Sequence, residues 1–140
     1  MIFKSKLFVS KNKTEIINLC NTFVPNKILI ASVSFNFIEG INISLKRGAN
    51  ILYDDNYAFL KAVYLGHIDV VNILIKYGCN IYARQHYALH LAANRDHYDI
   101  LKLLLEMGLN PNGICPSFKY IDYSSKIVWL LNKYKYNNYK

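Results

Sequence analysis

Tyr57-Ala-Phe-Leu-Lys-Ala-Val-Tyr-Leu-Gly-His-Ile-Asp-Val-Val-Asn-Ile-Leu-Ile-Lys-Tyr-Gly78 decides the fold, because the chain says nearly the same thing again from Tyr87. Tyr57 and Tyr87, Ala58 and Ala88, Ala62 and Ala92, His67 and His97, Asp69 and Asp99, Leu74 and Leu104, Gly78 and Gly108, and Asn80 and Asn110 are each thirty residues apart. Between these anchors Val70, Val71, Ile73 and Ile75 meet Ile100, Leu101, Leu103 and Leu105, so the apolar pattern repeats where the letters differ. Self-similarity at a fixed period of roughly 20 to 50 residues is the signature of stacked repeats.

Each unit reads as two helices. Tyr57 to Leu65 places Ala58, Phe59, Ala62 and Val63 on one face, and Ala62 is small enough to admit a neighbouring helix closely. Gly66 ends this helix. In Ile68 to Tyr77, Asp69 in the first turn and Lys76 in the last complement the helix dipole, and Val70, Val71, Ile73 and Leu74 form the buried stripe. Gly78 supplies the left-handed residue that follows. The unit at 87 keeps the plan, with Asp96 in place of the loop glycine and Glu106 at the second helix's end, both read as small local penalties.

Working outward, residues 27–56 are a degenerate copy. Val33, Ile38, Asn42, Ile43, Lys46, Gly48, Asn50 and Ile51 match Val63, Ile68, Asn72, Ile73, Lys76, Gly78, Asn80 and Ile81. Ser32, Asn36, Gly40 and Ser44 replace Ala62, Gly66, Val70 and Leu74, a drift expected of an end unit half facing water. The organisation expected is a capping helix within 1–26, ended by Pro25, repeats at 27–56, 57–86 and 87–116, and a closing segment at 117–140. In that last segment a helix near Lys126 to Tyr134 precedes a frayed tail at 135–140. The cap helix is read from Thr14, with Ile16, Ile17, Leu19, Cys20 and Phe23 as its apolar face.

The 140 residues suit one domain. At 53% hydrophobic and 19% charged, the chain is too apolar to be disordered. No run reaches the roughly 20 apolar residues of a membrane span, and the lysine-broken start is no secretory signal, so a soluble, intracellular protein is expected. The net charge is +8. Residues 1–27 carry five lysines and one glutamate, residues 119–140 five lysines and one aspartate, and residues 28–118 seven basic and seven acidic side chains. Each end is thus +4 and the repeat body neutral, which favours solubilising ends over a nucleic-acid surface.

Leu89-His90-Leu91-Ala92-Ala93, Gly66-His67 and Gly48-Ala49-Asn50-Ile51 carry the core of a known repeat. On these motifs, residues 27 to about 112 resemble the ankyrin repeat. The period here is about three residues shorter than the family's usual 33 or so, and Tyr-Ala stands where the family's Thr-Pro begins the first helix. Short-period units starting with Tyr-Ala, in a chain rich in Ile, Asn, Lys and Tyr, are similar to ankyrin-repeat proteins of amoebal giant DNA viruses. The resemblance implies an all-α solenoid of stacked antiparallel helix pairs with short connectors. It also implies a partner protein bound through connector tips and the exposed side of the first helices, which here are Asn56, Tyr64, Leu65, Arg84, His86, Asn94 and Arg95.

No reactive grouping competes with that reading. Cys20, Cys79 and Cys115 lack Cys-x-x-Cys spacing and are odd in number, so neither a disulfide framework nor zinc is expected. The resemblance places His67, His90 and His97 at loop-bracing positions, and His86 adds no ligand pair at metal-site spacing. No catalytic triad, phosphate loop or carboxylate pair is present. The expectation is therefore a monomeric, non-catalytic protein-interaction module without cofactor or metal. The alternatives are nucleic-acid binding through the basic ends and a decayed copy without a partner.

Overall fold

The computed structural model describes residue 18, residues 21–113 and residues 123–137. Seven α-helices and one 3-10 turn are assigned bounds within them: α1 Pro25–Ser34, α2 Ile38–Lys46, α3 Tyr53–Leu65, α4 Ile68–Lys76, α5 Ala83–Asn94, α6 Tyr98–Glu106, the turn Pro111–Gly113, and α7 Ser125–Asn137. The described residues form no strand. First helices stack on first helices, α1 on α3 and α3 on α5, while α4 lies against α6 and α6 against α7. The fold is an all-α solenoid of antiparallel helix pairs.

Small residues make the close stacking possible. Ala58, Ala62, Ala88 and Ala92 are 0–3% exposed. Phe59, Val63, Val71, Leu74, Leu89, Leu101 and Leu104 fill the layers between them. Both helices of a pair end by the same device. After α2, α4 and α6, the residues Gly48, Gly78 and Gly108 have φ of 84°, 85° and 91°. The residue after each donates its N–H five positions back, as Cys79 does to the Leu74 carbonyl at 3.1 Å. This pattern satisfies orphan carbonyls at the helix end.

The loop inside each pair also needs a left-handed residue, and Asn36, Gly66 and Asp96 supply it with φ of 53°, 78° and 58°. Gly66 has a second reason to be glycine. A Cβ there would lie 2.5 Å from Cε1 of His97 in the next unit. The His97 ring sits in that space with Nε2 3.1 Å from the Tyr64 carbonyl, which places the ring proton on that nitrogen. His97 thus braces the preceding loop.

The degenerate unit differs from its sequence reading. Ser32, Gly40 and Ser44 are buried rather than turned to water. Gly40 is small because the Ser32 hydroxyl and the ring of Phe37, which stands where the other units have His67 and His97, take the space a larger residue would need: a Cβ on Gly40 would fall 2.2 Å from Ser32 Oγ and 2.4 Å from Phe37 Cδ1. Ser44 satisfies its hydroxyl locally by donating to the Ile41 carbonyl at 2.7 Å. The drift is an exchange of packing partners inside the core.

Pro25 follows the end of the expected cap helix, whose described residues 18, 21 and 22 are helical, and it also occupies the first position of α1, where a missing N–H costs nothing; most of the expected cap helix lies outside the described residues. Two further expectations change. The closing helix runs on to Asn137, past the expected fraying point. It is also a partial further copy of a second helix. Leu130, Leu131 and Tyr134 stand thirty residues beyond Ile100, Leu101 and Leu104, and Leu130 and Leu131 are buried like their counterparts. Asp96, finally, is no mere penalty. Its carboxylate receives Lys126 Nζ at 2.8 Å and the Ser124 hydroxyl, tying the last loop to the closing helix. These two contacts hold its carboxyl below the ordinary 3.8.

Candidate functional site

The connectors between units set the edge of the site. Asn50, Asn80 and Asn110 each accept a hydrogen bond on Oδ1 from the N–H two residues on, at 2.9, 3.0 and 2.8 Å. Such side-chain turns start the chain toward the next helix. The backbone then enters the left-handed region at Asp54, Asp55 and Asn56, with φ of 51°, 53° and 62°, so the right-handed part of α3 begins at Tyr57. Arg84 and His86 repeat this with φ of 51° and 67°. For residues other than Gly the left-handed region costs about 1–2 kcal/mol each, least for Asn and Asp. Strain of this kind gathers at binding and switch segments.

Right-handed α3 then presents Tyr57, Leu60, Lys61, Tyr64 and Leu65 at helical spacing along one side. Across from them α5 offers Arg84, Tyr87 and Leu91. The two stripes enclose an open groove of about 300 Å³ between the first helices of adjacent units. Its phenol-bearing residues are half out in solvent, Tyr57 at 36%, Tyr64 at 44% and Tyr87 at 39% exposed. Arg95, at the end of α5, lies over the Tyr64 ring at 3.8 Å from its centroid. Lys61 lies over the Tyr57 ring at 5.3 Å. Arg84 pairs with Asp55 at 3.0 Å.

Of the expected contact residues, Tyr64, Leu65 and Arg84 line this groove and Arg95 covers Tyr64. Asn94 is exposed beside them. Asn56 is different. It is 4% exposed, and its Oδ1 accepts from the Asn80 N–H at 2.8 Å, just as Asn26 Oδ1 accepts from Asn50. Asn56 therefore anchors a connector and offers no exposed tip. His86 holds the corresponding place in the next unit, half-buried, its ring edge-on to Tyr82 at 5.5 Å.

Sequence reasoning missed Tyr57, Leu60, Lys61, Tyr87 and Leu91 as members of one surface. A signal was available. Leu60, Lys61, Tyr64 and Leu65 face His90, Leu91, Asn94 and Arg95 across the thirty-residue register, so the two best-matched units keep their scaffold letters and differ where the groove and its margin lie. The other chemistry-bearing groups serve packing. Burial pushes the Cys79 thiol up to about 12, and burial lowers the pKa of His90, whose ring lies beside Tyr87 at 5.7 Å. Among the described residues, no three His, Cys, Asp or Glu side chains gather as a metal site would require.

The fold is a helical-repeat scaffold with an open groove between the first helices of adjacent units. The family model described as ankyrin repeats, in three copies, matches residues 9–115, and the chain belongs to the ankyrin-repeat family. Repeats of this family are generally protein–protein interaction modules, and their fold is a non-enzymatic scaffold. A search of curated proteins returns no match. No helix among the described residues is long and apolar enough to cross a membrane.

Proposed function

We propose that this chain is a non-catalytic interaction module that captures a protein partner in the groove between α3 and α5. The observation that carries the proposal is the groove itself. Three half-exposed tyrosines and two ring-stacked cations line one face of a rigid stack, and aromatic and Arg side chains are the groups on which interface energy concentrates. The neutral repeat body supports a protein rather than a polyanion as partner. Thirty-residue units that start with Tyr-Ala support a place among the short-period ankyrin proteins of amoebal giant viruses, working as a monomer inside the host cell.

Affinity capture from host lysate tests the reading with two variants. Capture fails when Tyr64 and Arg95 are both changed to Ala, since each such anchor contributes roughly 1–2 kcal/mol or more. It survives changing Lys4, Lys6, Lys11 and Lys13 to Gln. Salt-sensitive binding to duplex DNA that is lost on the lysine changes, with no effect of the groove changes, would overturn the proposal.

A further inference from the structure

The groove carries a chemistry more specific than protein binding in general. No carboxylate lines it. Arg84 is already matched by Asp55, but among the described residues neither Lys61 nor Arg95 forms an ion pair. Both are instead held over tyrosine rings, Lys61 on Tyr57 and Arg95 on Tyr64. The Tyr64 ring face occupies one side of the Arg95 guanidinium, and Lys61 Nζ also donates to the Tyr57 hydroxyl at 3.4 Å; neither cation meets a carboxylate among the described residues. The surface is thus a pair of fixed, unmatched positive charges above an apolar floor of Leu60 and Leu91.

The placement of the two rings beside these cations narrows the ligand. Tyr57 and Tyr64 are seven residues apart on α3, so their backbone positions lie about 10 Å apart along the axis at 1.5 Å per residue. A polyproline II segment advances about 3.1 Å per residue with three residues per turn, so its side chains at i and i+3 share an edge and lie about 9 Å apart. The residue at i+1 then points to another edge, down toward the floor. Separate cations also suit two single carboxylates better than one phosphate, which favours donors that converge on it.

Resting on the interaction reading above, we infer that the groove recognises an extended acidic segment of a partner protein. Its pattern is Asp or Glu at i and i+3, with a large apolar residue between them that enters between Leu60 and Leu91. Lys61 and Arg95 take the two carboxylates, and Tyr57, Tyr64 and Tyr87 flank the apolar side chain.

The test uses the full chain, isotope-labelled for amide NMR, titrated with the octapeptide Gly-Ser-Glu-Phe-Pro-Glu-Ser-Gly. Expected are shifts confined to residues 57–65 and 84–95, with affinity falling about tenfold when both glutamates are replaced by glutamine. The same tenfold loss is expected with Lys61→Gln and Arg95→Gln combined, and none with Lys46→Gln and Lys102→Gln on the outer helices. Equal affinity of the glutamine peptide at the same amides would overturn the acidic specificity and leave the groove standing as a protein site. Tighter binding of a thymidine oligonucleotide to these residues would overturn the carboxylate in favour of nucleic acid. Absence of shifts in the groove with both peptides would overturn this inference. If the Tyr64 and Arg95 variant still loses lysate capture in that case, the interaction reading stands without it.

Discussion

Replacing Gly66 with Ala isolates the contact by which one unit braces the next. Gly66 and Gly78 share a left-handed backbone, with φ of 78° and 85°, but their surroundings differ. A Cβ at Gly78 meets nothing within 4 Å, whereas one at Gly66 would lie 2.5 Å from Cε1 and 2.9 Å from Nδ1 of His97. Gly78→Ala therefore carries only the left-handed penalty, about 1–2 kcal/mol. Gly66→Ala carries the same penalty and must also displace the imidazole, losing its hydrogen bond to the Tyr64 carbonyl, a further loss of about 1–2 kcal/mol. The difference corresponds to a melting temperature roughly 4–8 °C lower for Gly66→Ala than for Gly78→Ala in a chain of this size. Urea and thermal unfolding of both variants measure it. Adding His97→Ala should bring the cost of Gly66→Ala down to that of Gly78→Ala, because the coupling resides in that ring. Equal losses for the two glycine variants, or no coupling to His97, would refute the claim that His97 packs into the preceding loop.

Two other predictions follow from the same stack. Ala62→Leu and Ala92→Leu place bulk at positions with no exposed surface and should each cost about 1–3 kcal/mol in denaturant unfolding; a neutral result would put that face in solvent. Asp96 has a carboxyl held below its ordinary 3.8 by Lys126 and Ser124, so its stabilising contribution is present above that value and is lost as pH falls through the lower folded one. Asp96→Asn keeps a side chain tolerant of left-handed backbone. Wild type should therefore exceed it in stability near neutrality, and the gap should close as acid titration takes the pH below the lowered folded value; a gap independent of pH would exclude the ionic latch.

The repeat plan was legible because its determinants are local. Gly66, Gly78 and Gly108 mark turns by conformation alone, and the alanines and branched residues between them keep a thirty-residue beat. What was not legible depended on contacts between units. Ser32, Gly40 and Ser44 read as exposed because polarity and smallness ordinarily signal a surface, whereas Ser32 and Phe37 together fill the space above Gly40. The family resemblance places Asn56 at a connector tip, yet its amide oxygen serves the backbone of Asn80 in the next unit. The left-handed backbone of Arg84 leaves no trace in residue type, since arginine does not favour that region. The groove was half visible. Tyr57, Leu60, Lys61, Tyr64 and Leu65 lie at the spacing of one helix side, but only their juxtaposition with Tyr87 and Leu91 makes them a surface.

Hydrogen exchange of the protein with and without its captured partner tests most directly whether the inner groove is the contact face. The account predicts slowed exchange in the right-handed part of α3 and along α5, residues 57–65 and 84–95, with the outer helices α4 and α6 unchanged. Protection confined to α4 and α6, or to the lysine-rich ends, would contradict it.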